Sequence, residues 1–344
     1  MKLNDKKISI WYKIPLILLL PLILSTCSLV HKNTGDVLIS FAEDETVPYV
    51  LASNDLDLGC SMSKAFAPFI LSFSRVTTPP NELAIMLYLL AGSCSEVKAW
   101  EEELRYLRAV YSKNVLEAQD ARIAQKRFLN QAARRQLAGY NSLVLAIAEP
   151  GGECPVFDSD DAELYWLIGL LDGLQAMLND LATEGSANVP LDIASKVGRG
   201  ASCLDNEQWW GLPKAIQAAI WVTIPSNKPA NVDPLKILDQ SMQIGLQQGV
   251  LITQVLAAQI QMGLGHTDQV KAIIRRHQES KTQAQSAVSA YRLLDEFTTL
   301  QLQAISDRLW TEATGKRTPI SGLGTFWDDP KKAVDTINID DMLK

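Results

Sequence analysis

From Cys94 to Gln136 the chain runs for some forty residues without a glycine or a proline. Ala, Glu, Leu, Arg and Gln dominate this stretch, all of them good helix formers. It reads as one long helix, or as two with a break near Ser112-Lys113-Asn114. In a folded protein most of a helix's stability comes from packing its apolar face against other elements. The rest of the sequence has to supply that cover.

It does so with more helices. Residues 60–75 place Phe66, Phe69, Ile70 and Phe73 at i, i+3, i+4 and i+7, on one helical face, with Pro68 bending the helix. Thr77-Thr78-Pro79-Pro80 stops it, and Asn81-Glu82 opens a second arm over about 82–94. Gly139 interrupts the long stretch, and a short apolar helix over 140–148 ends at Pro150-Gly151-Gly152. The second half repeats the plan. Asp160 and Glu163 form a capping-box-like start to a helix over 160–180, with Leu164, Leu167, Ile168, Leu171, Leu174 and Leu178 along one face. A shorter arm follows over 191–201. Helices over 208–224, 234–248 (opened by Asp233-Pro234) and 267–279, with one between Gly249 and Gly265, precede a final helix over 281–314. About ten helices and no convincing sheet predict an all-α fold, a tetratricopeptide-like array of antiparallel helical hairpins. No well-formed 34-residue consensus repeat accompanies it.

At the start, a basic segment (Lys2, Lys6, Lys7, Lys13) leads into an apolar run over 14–24 that is short for a membrane span, and then into Leu24-Ser25-Thr26-Cys27. That is the layout of a bacterial lipoprotein signal, with cleavage before Cys27 and acylation of its thiol and amine. Ser28, rather than Asp, follows the cysteine, and the expected location is the outer membrane, facing the periplasm. No second apolar run reaches the ~18 residues of another span. Loss of residues 1–26 removes four Lys and one Asp, so the formal charge falls from −7 to −10. A chain this acidic lacks the basic face that nucleic-acid phosphates require.

Four cysteines remain: Cys60, Cys94, Cys154 and Cys203. In an oxidising compartment an even count suggests two disulfides. Each of the pairs 60–94 and 154–203 brackets one helical hairpin, and this is the connectivity the helix pattern favours. The expected division is a signal peptide (1–26), a lipid-anchored tether (27–59) in which residues 37–41 form a short strand or docking segment, a helical domain (60–315) and an irregular tail (316–344).

The residues carry no signature of chemistry. His31, His266 and His277 stand apart from one another and from any candidate nucleophile, so neither a metal site nor a catalytic triad is expected. Gly198-Arg199-Gly200 and Gly322-Leu323-Gly324 lack the strand-turn-helix context of a phosphate loop. No cofactor and no enzymatic activity are expected. Two features stand out. Tyr165-Trp166 and Trp209-Trp210 fall where the hairpin order brings their helices together, which makes them candidate binding residues; inter-helix packing accounts for them as well. Arg122, Lys126, Arg127, Arg134 and Arg135 form a basic stretch, read first as a solvated helix face with local ion pairs and second as a surface for an acidic partner.

Several of these features together resemble the T component of TRAP-transporter-associated lipoproteins, the helical partners of tripartite ATP-independent periplasmic uptake systems. They are Asn54-Asp55-Leu56-Asp57 ahead of Ala65…Pro68, Pro80-Asn81-Glu82-Leu83, Arg127 with Ala132-Ala133-Arg134 and Tyr140, Tyr165-Trp166, and Arg292-Leu293-Leu294. The resemblance implies tetratricopeptide-like helices, self-association as a homo-oligomer, partnership with a periplasmic solute-binding protein and no catalysis. Two functions follow as expectations. One is an accessory protein that binds the solute-binding protein and shelters an apolar ligand between helices. The other is a helical scaffold for envelope assembly with no small-molecule ligand.

Overall fold

The computed structural model describes residues 29–283 and 291–330. The signal segment, Cys27, residues 284–290 and the tail from 331 lie outside the described residues. Residues 29–41 are helical (α1) and pass through a π-helical turn, Ala42–Thr46, into α2 (Val47–Leu51). Then come α3 (Leu56–Ser72), α4 (Asn81–Tyr111), α5 (Val115–Ala146), α6 (Asp160–Ala182), α7 (Ile193–Ala201) and α8 (Leu212–Thr223). The last four are α9 (Pro234–Gln248), α10 (Thr253–Gly263), α11 (Thr267–Gln283) and α12 (Arg292–Thr314). Among the described residues there is no strand, and the protein is all-α, with helix packed against following helix from α3 to α11.

The caps explain where the helices begin. Asn114 turns the chain after α4, and its side chain accepts from the Glu117 amide. Ser159 does the same for Ala162 at the head of α6, and Asp233 accepts from two amides ahead of α9, where Pro234 has no donor to lose. Disulfides join Cys60 to Cys94 and Cys154 to Cys203.

Several boundaries differ from those the sequence suggests. The segment expected as a tether is helical where described: Ala42 is fully buried, and Ile39 and Val47 pack on Ala67, Ile70, Leu83 and Leu87. Its apolar residues fall at helical spacing, which makes a face that α3 and α4 cover. Residues 37–41 are accordingly helix, not strand. The arm expected to stop at Cys94 continues to Tyr111, so its disulfide fastens α3 to the middle of α4. One window of α4 is long and apolar enough to cross a membrane, yet 67% of it is buried inside the fold. Gly139 does not end a helix either. A Cβ there would lie 2.0 Å from the Asp172 carboxylate, and Cβ atoms at Gly169 and Gly173 would press on Leu143 and Tyr140. Close packing of α5 on α6 outweighs the ~1 kcal/mol helix penalty of a glycine. Lys281 belongs to α11, and the last helix starts at Arg292. The described part of the tail, 316–330, is irregular but fastened: Phe326 is buried, and Lys271 and Arg275 on α11 pair with Asp328 and Asp329.

The main core is built around α6. Leu164 to Leu174 are buried without a break, on all sides of the helix and not along one stripe. α12 then packs against α4, α10 and α11 and reaches α2 and α3. The last helix thus returns to α2 and α3, and a pocket open to solvent on one side lies where it meets α4, α6, α8 and α10.

Candidate functional site

The cavity lies between α4, α6, α8, α10 and α12 and has a volume of about 640 Å³. Most of its wall is apolar: Leu174 and Leu178 from α6, Ala219 and Val222 from α8, Leu256 and Ile260 from α10, and Ile305 from α12. On each of α6, α8 and α10 the two residues lie three or four positions apart, on one side of the helix. From α4, Trp100 adds an aromatic surface.

Polar groups enter at three places. Glu96 on α4 is buried, and its Oε1 accepts from Asn179 Nδ2 at 2.6 Å and from Gln136 Nε2 at 3.0 Å; Asn179 Nδ2 also donates to Gln136 Oε1 at 2.8 Å. Burial raises the Glu96 pKa above the ordinary carboxylate value, and the two amide donors offset only part of that rise. Across the space, Gln259 Nε2 donates to Gln301 Oε1 at 3.0 Å, and Gln259 Oε1 is buried without a partner. Arg308 and Glu103 form a 3.4 Å ion pair on the cavity lining. A smaller apolar void continues past Glu96, Gln175, Leu256 and Gln301 to Trp210.

Such walls suit a mostly apolar molecule with one or two hydrogen-bonding groups, the usual composition of a small-molecule site. Among the described residues no group of three or more His, Cys, Asp and Glu side chains is placed to hold a metal ion.

The aromatic residues singled out from sequence take other places. Trp166 is 1% exposed; its indole Nε1 donates to the Gly200 carbonyl at 2.9 Å, and its ring meets Phe157 edge-on. Trp209 donates to Glu163 Oε2 at 2.6 Å, and Trp210 stacks edge-on with both Trp209 and Tyr291. Tyr165 is buried as well, and that burial, with Glu43 and Glu82 nearby, raises its pKa. The hairpin does bring Trp209 and Trp210 to the head of α6. Once there they fill the space between helices; all four are buried, and Trp210 borders a void.

Sequence reasoning missed Glu96, Trp100, Asn179, Gln259, Gln301 and Arg308. One signal was available: Glu96 lies four residues after Gly92 and three before Ala99, in phase with the buried stripe of α4. A carboxylate at such a position is rarely idle.

Fold and site together define a class, an all-helical hairpin protein with a largely apolar, solvent-accessible pocket between its helices. No family model matches the chain, and neither a curated protein nor a solved structure matches it.

Proposed function

We propose that the chain is a periplasm-facing lipoprotein, anchored through Cys27, that serves as a non-enzymatic accessory component of a TRAP-type solute uptake system. In this reading it binds the periplasmic solute-binding protein and shelters a mostly apolar small molecule between its helices. The observation that carries the ligand half is the cavity itself, about 640 Å³ with predominantly apolar walls and the Glu96–Asn179 pair at one side. The partner half rests on the sequence resemblance, and the two disulfides fit an oxidising compartment.

The test uses the mature protein purified without detergent. Native mass spectrometry should show a bound small molecule that organic extraction removes. Ala304→Trp, which projects an indole into the cavity, should abolish that mass shift while leaving helicity intact. Co-purification with the solute-binding protein, assayed separately, checks the partner. An apo mass for the parent protein under all conditions favours the envelope scaffold with no small-molecule ligand.

A further inference from the structure

The turn joining α4 and α5 carries a second cavity, a groove of about 710 Å³ at the end of the hairpin remote from α1. Its two sides are helical stripes. Tyr106, Ala109 and Val110 come from α4, and Val115, Ala118, Arg122, Ile123 and Lys126 come from one face of α5. The α5 stripe covers about 17 Å, three turns of helix. Val110, Val115 and Ile123 are exposed, and beyond the lining Tyr111 and Leu116 are exposed too, Leu116 at 80%. An apolar patch concentrated on one turn of a charged surface marks an interaction site.

The charge at this groove runs against that of the molecule. The chain is −7 overall, yet Lys113, Arg122 and Lys126 line the groove. Lys113 has no ion-pair partner among the described residues, and Arg122 donates to Gln125, lies over the Tyr106 ring and is close enough to Glu184 to lower its pKa. Lys126 is held by Glu184. The carboxylates of the same turns, Glu102, Glu117 and Asp120, are all drawn to Arg105. The groove therefore offers an apolar floor with basic edges, in the shape that takes an amphipathic helix.

We infer that the α4–α5 tip docks an acidic amphipathic helix of a partner protein. A bilayer is the poorer occupant. Gly35 packs on Phe73, and Asp36 bonds Thr77, so the N-terminal helix sits beside the start of α4; the groove is a further ~45 Å along that 31-residue helix. A second copy brings the same net negative charge, which opposes the approach of one copy to another. The inference stands on the patch and its charge, independently of the uptake role and of the pocket between the helices.

The experiment uses the full mature chain and a stapled peptide helix of about four turns, with Leu at i, i+3, i+4 and i+7 and Glu on both flanks. A twin peptide carries Lys in place of Glu. The Glu peptide should bind about ten-fold or more tightly than its twin, and more weakly as salt rises. Ile123→Ser and Arg122→Glu should each cost about ten-fold, with an unchanged melting temperature, whereas Arg134→Glu, outside the groove, should cost nothing. Equal binding of both peptides, no binding, or losses shared by Arg134→Glu overturn the inference. So does flotation of the unlipidated protein with phosphatidylglycerol vesicles that depends on Ile123, or a self-associated species that Ile123→Ser dissolves.

Discussion

Helix α6 and the remote end of the α4–α5 hairpin carry the same helical signal and end in opposite surroundings. From Leu164 to Leu174 every residue of α6 is buried, whereas Tyr111 to Leu116 at the hairpin turn are all exposed. The difference lies in what surrounds the leucines. In α6 the intervening positions are Gly169, Gly173 and Ala176, small enough for α5 and α7 to close in on several sides. At the tip end of α5 they include Gln119, Asp120 and Arg122, all exposed to water. A helix apolar all round becomes a core, and a helix apolar on one face needs a partner for it. α6 has its partners inside the chain, and the tip does not.

The sharpest way to break this comparison is to truncate a large side chain in each region. Trp166→Ala removes a fully buried indole together with its hydrogen bond to the Gly200 carbonyl, which keeps its backbone donors at the end of α7. A loss of about 3–5 kcal/mol is expected, by urea unfolding, for the cavity alone. Leu116→Ala at the tip should stay within about 0.5 kcal/mol. Comparable losses at the two sites would mean that the tip is structural. A near-neutral Trp166→Ala would restore the aromatic residues as candidates for recognition.

The cross-links come next in size. The cysteines of the two bridges are 34 and 49 residues apart in sequence. Loop entropy assigns each about 4 kcal/mol and separates the two by only a few tenths. Cys60→Ser/Cys94→Ser and Cys154→Ser/Cys203→Ser should therefore lower stability by similar amounts, typically about 2–4 kcal/mol in practice. A much larger loss on the 154–203 side would mean that this bridge also orders the native α6–α7 region, sharpening the contrast with the hairpin. A non-reducing peptide map that joins Cys60 to Cys154 would refute the fold as described.

Much of this was legible because it is local chemistry. The break at 112–114, the start of α6 at Asp160 and the opening of α9 at Pro234 follow from caps and a proline, which act within one turn. The cysteine pairing was legible because hairpin order sets which residues are neighbours. Other features depend on residues far apart in sequence. Gly139 stays inside α5 because Asp172 approaches it, and α4 passes through Cys94 because α3, α5 and α12 cover it. Trp209 is held by Glu163, 46 positions earlier. No window of sequence contains both halves of such a contact. The cavity was hidden for the same reason: five helices each contribute an ordinary apolar face, and the void exists only where those faces fail to meet.

Asp172 is the exception inside α6, and it supports the smallest prediction. Its side chain is fully buried against Gly139, and neither carboxylate oxygen has a hydrogen-bond partner. Burial, reinforced by Glu96, raises its pKa well above the usual aspartate value. The folded chain therefore holds this proton more tightly than the unfolded chain does, so stability falls as pH rises from the ordinary carboxylate range through the raised value. Asp172→Asn removes the titration. Its unpartnered amide sets a pH-independent offset, so the slope is the quantity to read. As pH rises above the ordinary aspartate value the variant should gain on the parent by up to about 1.4 kcal/mol per pH unit for as long as the folded Asp172 keeps its proton, and the gain should level off once it ionises. His277 acts in the opposite sense: burial depresses its pKa to about 4, so its contribution is complete above about 6.5 and is lost as pH falls towards 4. It is present in both proteins and cancels in their difference. Parallel pH profiles for parent and variant would mean that Asp172 is solvated or partnered in the folded state, and α6 would then not be sealed on the side facing α5.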